Sequence, residues 1–165
     1  MPSLAERVVS DLRLLEGSEV LVFGDAGVGD LTRIAEAAGG FERLTILYRG
    51  LVTPVWAKAL GERGAKVLRS HLYEHNDFLA VSSFDAILAS NVLDGLLGKR
   101  EFLGEAYRLL KPGGRLVIVQ RLWPASRLKR KAFLRLIEGA RSYRRVVEEV
   151  RILGAYVVLE RPSNG

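Results

Sequence analysis

The chain has 165 residues, of which 48% are hydrophobic and 27% are charged, and its formal net charge is +6. It contains no cysteine and two histidines, which excludes disulfides, thiolate metal sites and cysteine nucleophiles and argues against a histidine-rich metal site. No apolar run reaches the roughly 18 residues of a membrane span, and the N-terminus has neither a signal-peptide nor a transit-peptide pattern. The expected location is therefore cytoplasmic, with no membrane partner.

Hydrophobic periodicity predicts helices and short apolar strands in alternation along the chain. The predicted helices cover residues 3–16, 29–38, 51–63 and 99–110. The predicted strands cover residues 18–23, 44–48, 66–69, 84–90, 115–120 and 155–160. Between the last two strands, the basic segment of about 125–151 is predicted to be helical.

Short apolar strands that alternate with helices are typical of a parallel sheet covered by helices on both faces. The predicted fold class is α/β, a Rossmann-like doubly wound and mostly parallel sheet, in a single domain of residues 1–165. Its predicted parts are an N-terminal helix (1–17), a cofactor-binding core (18–120), and basic helices with a last strand (121–165). Ligands of such sheets bind at the carboxyl ends of the strands, so the site is expected in the loops after residues 23, 48, 69, 90 and 120.

The stretch VLVFGDAGVGD (residues 20–30) joins an apolar strand to a helix through a glycine-rich turn, as nucleotide sites do. A P-loop would end in Gly-Lys-Ser/Thr, but Gly29 is followed by Asp30, so that interpretation fails. The dinucleotide pattern G-x-G-x-x-G is matched only at Gly27 and Gly29. Arg49, after the second strand, could accept the extra phosphate of NADP, so an NADP-binding module stays open as a lesser alternative.

A second stretch, FDAILASNVLDGLLGKREFLGEAYRLLKPGGRLVIVQ (residues 84–120), joins a strand beginning Phe-Asp to a helix and a further apolar strand. It resembles the class I S-adenosylmethionine-dependent methyltransferase family, closely over residues 18–120 and more loosely to 160. Pro112 and the glycines after it are expected to stop the helix and reverse the chain into the buried strand. The positions that match the family pattern are Arg108, Leu110, Lys111, Pro112, Gly113, Gly114, Arg115 and Leu116.

The resemblance implies that the first glycine loop wraps the methionine and ribose parts of S-adenosylmethionine, because small residues let backbone amides approach the ligand. It also implies contacts from the ends of the second, third and fourth strands. The cofactor-binding residues predicted in this way are Gly24, Asp25, Ala26, Gly27, Gly29, Tyr48, Arg49, His71, Leu72, Ser90 and Asn91.

Three acidic anchors that are usual in the family are missing from this sequence. The first strand offers Val22 and Phe23 in place of an acid. Tyr48 stands where an acid would hold the ribose hydroxyls, and His71 stands where one would receive the adenine amino group. Losing two charged hydrogen bonds would cost about 3–6 kcal/mol, or two to four decades of affinity. Tyr48 and His71 can replace part of this, and Asp25 could engage the ammonium group of the cofactor.

The methyl-accepting side shows few recognisable motifs, and no catalytic residue is assigned. Asn91 could orient an amine or merely cap the end of its strand, because the prolines and aromatic residue of Asn-Pro-Pro-Tyr-like loops are absent. His75 and Asp77 could form an acid–base pair or be ordinary surface residues. Trp123 could stack on a base or on adenine, or it could pack in the core.

The C-terminal part departs from the family, because a single strand is recognised after residue 121. Either the last strand is missing, or the segment from Arg127 to Arg151 replaces the usual substrate-binding elements. Ten basic and three acidic residues lie between Arg121 and Arg151, which suits RNA or another acidic partner but is also common on a solvated helix face. The partner-binding candidates are Arg127, Arg130, Lys131, Arg141, Arg144 and Arg145.

Two main functions are compatible with these patterns. One is an S-adenosylmethionine-dependent methyltransferase of unknown substrate, acting on RNA or another acidic partner. The other is a non-catalytic methyltransferase-like binding or partner subunit that has lost cofactor binding, because a fold does not by itself determine a function.

Overall fold

The structure is a computed structural model that describes residues 2–24, 26–123 and 128–163. The helices in these ranges are α1 (Leu4–Asp11), α2 (Val28–Ala38), α3 (Val55–Glu62), α4 (Lys99–Leu109) and α5 (Arg130–Gly139). The strands are β1 (Val20–Gly24), β2 (Leu44–Tyr48), β3 (Lys66–Arg69), β4 (Phe84–Ser90), β5 (Leu110–Arg121), β6 (Arg144–Val150) and β7 (Gly154–Glu160). Short 3-10 turns at Phe41–Arg43 and Leu93–Gly95 precede β2 and α4.

Local signals set the ends of the first two helices. The Ser3 hydroxyl accepts from the Glu6 N–H at 3.2 Å, and the Glu6 carboxylate accepts from the Ser3 N–H at 2.8 Å. This reciprocal capping box satisfies two amides that the start of α1 would otherwise leave unpaired. Gly39 ends α2 with a left-handed backbone (φ +101°), which is why the predicted end of that helix at residue 38 is confirmed.

The seven strands form one sheet in the order β3-β2-β1-β4-β5-β7-β6. Strands β1 to β5 are parallel, and β7 runs antiparallel between β5 and β6. The order reverses between β1 and β4, and doubly wound sheets bind their ligands at this kind of switch point. The predicted α/β class with a mostly parallel sheet is confirmed.

Helices cover the sheet on both faces, because successive side chains of each strand point to opposite sides. In β1, Val20 and Val22 pack with the buried residues of α1, α2 and α3. Leu21 and Phe23 pack with those of α4 and α5 on the other face. Burial on both faces explains why the strands read as nearly continuous apolar runs.

The prediction of helix across 125–151 is wrong beyond Gly139, and so is the expectation of a missing last strand. Arg144–Val150 forms β6, which pairs antiparallel with β7 and completes the sheet. As an edge strand with one side in solvent, β6 tolerates charged residues. The β-branched pair Val146-Val147 favours a strand, but the charged residues on either side of it break the apolar pattern that predicts one. The segment was therefore predicted to be helical.

The Lys-Pro-Gly-Gly segment lies inside β5, whereas a turn after the helix was predicted. Leu110 already pairs with Phe84, and the register shifts before the next paired residue. Gly113 has φ +84° and donates its N–H to the Arg161 carbonyl at 2.7 Å. A Cβ on Gly114 would lie 2.9 Å from the Asp85 carbonyl oxygen. The segment is therefore a bulge that brings α4 close to the sheet.

The carboxyl ends of the parallel strands meet at one edge of the sheet. Backbone pairing sets Gly24 beside Ser90, Ser90 beside Val119, and Tyr48 beside Arg69. The loops after these strands therefore share the edge at which the site was predicted. In the described parts of the chain, no helix has the length and apolar character needed to cross a bilayer.

Candidate active site

Gly24 ends β1 at the centre of this edge with a backbone φ of +85°. A Cβ at Gly24 would lie 2.4 Å from the Ser90 carbonyl oxygen and 2.6 Å from Val92 Cγ1. Only glycine allows both this backbone conformation and this close approach. The structure thus holds the predicted site residues Gly24 and Ser90 in contact.

Gly27 and Gly29 stand at the start of α2 and leave open space. Gly27 is the N-cap with φ +81°, so the cap residue itself offers no side chain to the first amides of α2. A Cβ at either glycine would meet no atom of the described residues within 4 Å, so these residues leave room for a ligand at the helix N-terminus. Ala26 lines a small cavity with Ser90, and Asp25 lies outside the described residues.

At the end of β2, the Tyr48 hydroxyl lies 2.9 Å from the Thr53 hydroxyl. Two hydroxyls can both donate and accept, so this pair offers hydrogen bonds at the position where the family resemblance expects an acid. Arg49 is exposed, with its guanidinium 5.6 Å from the centroid of the Tyr73 ring. Tyr73 donates to the Leu47 carbonyl at 3.3 Å, and burial raises the pKa of its hydroxyl.

The predicted residues after β3 are solvent-exposed. The imidazole ring of His71 forms no hydrogen bond or ion pair with another described residue. Leu72 is 52% exposed. His75 and Asp77 do lie together, with Nε2 3.0 Å from the Asp77 carboxylate, but their side chains are 68% and 85% exposed. Such a solvated pair favours the surface interpretation over the acid–base one.

A buried polar network, which the sequence analysis did not find, fastens the loop between β3 and β4. Asn76 is fully buried, accepts from the Ser70 hydroxyl at 2.6 Å, and donates its N–H to Glu105 at 2.7 Å. Arg108 donates to both Glu105 oxygens, at 2.7 and 2.9 Å, and to the Asn76 carbonyl at 3.0 Å. Burial acts to raise the pKa of Glu105, but the hydrogen bonds from Arg108 and Asn76 outweigh it and lower the pKa.

Glu74 links this loop to the loop after β4, and it was also missed. Its Oε2 accepts from the Gly98 N–H at 3.3 Å. Its Oε1 is buried and has no hydrogen-bond partner among the described residues. A buried carboxylate oxygen without a partner is costly, so the position suits a ligand that donates a hydrogen bond. The loop after β3 therefore does carry an acid, three residues beyond His71.

Asn91 follows β4 with a left-handed backbone (φ +55°). Its N–H donates to the Val119 carbonyl, and its Oδ1 accepts from the Arg121 N–H, both at 2.8 Å. The side chain therefore caps the strand end, as one of the two interpretations predicted. The amide NH₂ donates to no other described residue and can still reach a ligand.

A cavity of about 390 Å³ opens beside Asn91, between α1 and the β6–β7 hairpin. Arg7 of α1 lines the cavity, where its guanidinium binds Glu149 and lies 3.7 Å from the centroid of the Tyr156 ring. The Tyr156 hydroxyl donates to Asp11 at 2.6 Å, and burial together with this bond raises the pKa of Tyr156. This hydrogen bond links α1 to β7 beside the cavity.

Trp123, after β5, is not buried in the core as one interpretation expected. It is 49% exposed, and the Arg121 guanidinium lies 5.3 Å from the centroid of its ring. Its ring is therefore accessible to a ligand.

The basic residues that were predicted to lie in one helical segment are distributed over two elements, α5 and β6. Arg144 and Arg145 lie on β6, where Arg144 pairs with Glu160 at 3.0 Å and Arg145 pairs with Glu148 at 3.3 Å. These acids offset charges that the sequence analysis assigned to a partner surface. The Arg144 hydrogen bond, together with Arg115, also lowers the pKa of Glu160 against the opposing effect of burial.

The remaining predicted cations are on or beside α5. Arg130 and Lys131 are exposed in its first turn, and Arg141 is exposed just after its end. Arg127 lies outside the described residues. Within the ranges that the structure describes, no three His, Asp or Glu side chains are grouped so as to hold a metal ion.

The sequence model of the methyltransferase domain matches residues 26–118, more than half of the chain. The chain belongs to the methyltransferase domain family. The match begins in the glycine loop, just after β1, and ends in β5, so it spans β2, β3 and β4 and the loops that follow them. It confirms the family recognised from the motif, and S-adenosylmethionine is the cofactor of that family. No curated protein matches the sequence.

Solved structures share the fold of this methyltransferase domain at low sequence identity. An Aquifex aeolicus SAM-dependent methyltransferase is 22% identical, with a TM-score of 0.70 over 96% of this chain and 89% of that chain. A Burkholderia thailandensis 1,6-didemethyltoxoflavin-N1-methyltransferase, solved with S-adenosylhomocysteine, is 18% identical, with a TM-score of 0.68 over 96% and 76%. The methyltransferase of a complex with the Haloferax volcanii Trm112 activator is 13% identical, with a TM-score of 0.74 over 96% and 88%.

The motif that identifies the methyltransferase domain acts mainly as a scaffold. Lys111 pairs with Asp85 at 3.3 Å, and the buried Arg115 pairs with Glu160 at 3.0 Å. Both pairs lie near the amino ends of β4 and β5, opposite the site. Of the charged motif residues, Arg108 is the one that acts toward the site, through the loop it fastens.

Proposed function

We propose that this methyltransferase domain binds S-adenosylmethionine across the carboxyl ends of β1 to β4 and methylates an acceptor held beside Asn91. When bound, S-adenosylmethionine supplies a sulfonium methyl group, and its transfer breaks the S–CH₃ bond with the electron pair left on sulfur. The residues of this chain hold the cofactor and orient the acceptor atom in line with that bond.

The observation that carries the proposal is the glycine loop. Gly24 brings the loop against β4, while Gly27 and Gly29 keep the N-terminus of α2 open. Positive φ at Gly24 and Gly27, together with the close contact of Gly24 with Ser90, keeps the loop backbone free of side chains beside the start of α2. The space suits a ligand whose polar groups reach the backbone amides.

The polar groups around this space fit the rest of the cofactor. The Tyr48 and Thr53 hydroxyls can hold a ribose diol, because each can donate and accept. The unpartnered Oε1 of Glu74 can receive an amino group, a role that the resemblance had suggested for His71. The NADP-binding module, which the sequence patterns left open as a lesser alternative, is disfavoured because the family match is to a methyltransferase domain.

Isothermal titration calorimetry with S-adenosylhomocysteine tests the proposal. We expect micromolar binding by the wild type and a loss of at least tenfold in Gly27→Ala, because a Cβ would fill the space at the start of α2. Gly17→Ala is the matched control: Gly17 also has positive φ (+96°) and an open Cβ position, but it precedes β1 at the opposite edge of the sheet.

Both glycine variants should lose similar stability, because alanine is strained at positive φ. Only Gly27→Ala should lose cofactor binding. The proposal fails if the wild type binds neither S-adenosylmethionine nor S-adenosylhomocysteine at millimolar concentration, or if the two variants bind S-adenosylhomocysteine equally well.

A partner subunit without methyltransferase activity is the second candidate, and a specific surface favours it. Around the edge strand β3, large apolar side chains are exposed, among them Leu51, Val52, Val55, Leu68 and Leu72. Apolar side chains beside an open strand edge are typical of protein interfaces. The fold is also shared with a methyltransferase that was solved in complex with an activator protein.

The same titration separates the two candidates. If the folded protein, shown by an intact thermal unfolding transition, binds neither S-adenosylmethionine nor S-adenosylhomocysteine, the result would favour the partner subunit. Binding of S-adenosylhomocysteine that is lost in Gly27→Ala would favour the enzyme.

A further inference from the structure

The cavity beside Asn91 adjoins the cofactor loop. A smaller cavity, lined by Ala26 and Ser90, shares Leu4 and Val119 with it. The larger cavity therefore lies where an acceptor would meet a methyl group held at the glycine loop. Its volume of about 390 Å³ falls within the roughly 300–1,000 Å³ of small-molecule sites.

The charges that line this cavity are not balanced. Arg7 is neutralised by Glu149, which is the single acid of the described lining. Arg121 and Arg151 also line the cavity, and neither guanidinium has a hydrogen bond or ion pair to a described residue. Two unpaired guanidinium groups at one small cavity favour an anion, and each can bind a carboxylate or phosphate in a bidentate manner.

The rest of the lining is largely apolar. Leu4, Val119, Leu153 and Ala155 form its walls, and the aromatic ring of Tyr156 lies among them. A ligand that fits must therefore bury an apolar body and present its charge to the arginines.

We propose that the acceptor is a small anionic molecule with an apolar or aromatic body, held by Arg121 and Arg151. The identification of the bound anion as the methyl acceptor rests on the proposed function. Binding of the anion to this cavity can be measured without the cofactor. A cavity closed on one side by α1 and on the other by the β6–β7 hairpin suits a molecule of one or two rings better than a nucleic-acid strand.

Ligand-observed NMR and calorimetry with matched acids and amides test the proposal. The probes are 4-hydroxybenzoate against 4-hydroxybenzamide, and 1-hydroxy-2-naphthoate against its amide. We expect at least one acid to bind about tenfold more tightly than its amide, because the amide cannot form the charge-assisted hydrogen bonds. Arg121→Gln and Arg151→Gln should each weaken binding of that acid at least fivefold, while Arg141→Gln, an exposed arginine outside the cavity, should not.

The proposal is overturned if neither acid binds better than its amide, or if acid binding survives both cavity variants. It is also overturned if a short single-stranded RNA displaces the acid and loses affinity in the same two variants, because the acceptor would then be nucleic acid. Absence of S-adenosylhomocysteine binding in the wild type would instead contradict the proposed function and leave the anion measurement valid. All variants should bind S-adenosylhomocysteine as the wild type does.

Discussion

In the proposed cofactor site, Tyr48 at the end of β2 replaces with a neutral hydroxyl part of what the missing acid would contribute. A neutral hydrogen bond contributes roughly 0.5–1.5 kcal/mol, whereas one to a charged group contributes roughly 1.5–3 kcal/mol. Exchanging a carboxylate for the Tyr48 and Thr53 hydroxyls, 2.9 Å apart, would cost about 1–2 kcal/mol. The expected loss of affinity at the ribose is thus about tenfold, less than for a position with no polar group.

Glu74 and His71 are competing candidates for the adenine amino group. We expect Glu74→Gln to weaken S-adenosylhomocysteine binding about tenfold, because a charged acceptor becomes neutral. The glutamine can still accept from the Gly98 N–H, so the loop should keep its fold. His71→Ala should change affinity less than twofold, because the exposed ring has no contact to hold it. Calorimetry on the two variants measures the difference, and a larger effect of His71→Ala would reverse the assignment.

At the scale of elements, α4 controls the shape of the loop between β3 and β4. Glu105 and Arg108 lie one turn apart on α4 and both bind Asn76 in that loop. Glu105 is almost fully buried, so its hydrogen bonds form where water cannot replace them. The position of the loop between β3 and β4 therefore depends on Glu105 and Arg108 of α4.

The lowered pKa of Glu105 predicts a specific dependence of stability on pH. A carboxyl whose pKa is lower in the folded state stabilises the fold above its unfolded pKa, near 4.5, and loses this contribution as pH falls through the folded pKa. We expect Glu105→Gln to be about 1–3 kcal/mol less stable than the wild type at pH 7, with a smaller gap at pH 3.5. Urea unfolding at both pH values measures this.

Glu62→Gln, at an exposed position of α3, is the matched control for that experiment and should leave stability nearly unchanged at both pH values. A gap between wild type and Glu105→Gln that stays constant or widens as pH falls would contradict the role assigned to the Glu105 carboxylate.

The β6–β7 hairpin is the element that most changed the interpretation of the chain. It places Glu149, Arg151 and Tyr156 along one side of the cavity beside Asn91. In the predicted helix of residues 125–151, Glu149 and Arg151 would have belonged to a basic helical segment. The antiparallel pairing therefore makes this charged segment one side of the cavity beside Asn91.

At the scale of the whole molecule, the net charge of +6 overstates the basic surface that is free to bind a partner. Arg7, Arg115, Arg144 and Arg145 are all engaged by acids. The exposed cations on α5 are Arg130, Lys131 and Arg135, and no acid of the described chain pairs with them.

This charge distribution predicts weak, salt-sensitive binding of nucleic acid. Because few phosphates can be neutralised, we expect a single-stranded RNA to bind at low salt with a shallow slope of log affinity against log salt, about −2 to −3, and to dissociate by about 200 mM salt. Gel shift at several salt concentrations measures the slope. The triple variant Arg130→Gln, Lys131→Gln, Arg135→Gln should abolish binding, whereas Arg144→Gln should not. Tight binding that persists at high salt would show that a larger surface is used.

Much of the fold could be predicted from the sequence because it rests on local patterns. The strands at 44–48, 66–69 and 84–90 have the predicted bounds, since each is a short strand-forming segment bounded by polar or turn-forming residues. The edge strand β6 could not be predicted in this way, because half-exposed strands carry polar residues and their pairing depends on a distant neighbour.

Of the candidate site, the sequence could place the strand ends and the glycine loop but not the contacts among side chains. Gly24, Ser90 and Asn91 were predicted from the family resemblance, which places cofactor contacts at strand ends, and the structure shows what each of them contacts. Glu74 escaped notice because its significance is an oxygen left without a partner, which no spacing rule reveals.

By itself the sequence determined the α/β class, the methyltransferase family and the place of the cofactor loop, because hydrophobic period and glycine position act over a few residues. Only the tertiary structure decided which charges are paired and which face the cavity. Arg7 meets Glu149 across 142 residues of chain, whereas Arg121 and Arg151 line the cavity beside Asn91 without an ion pair to any described residue. Whether a charge is neutralised depends on its neighbours in space, and the fold alone brings them together.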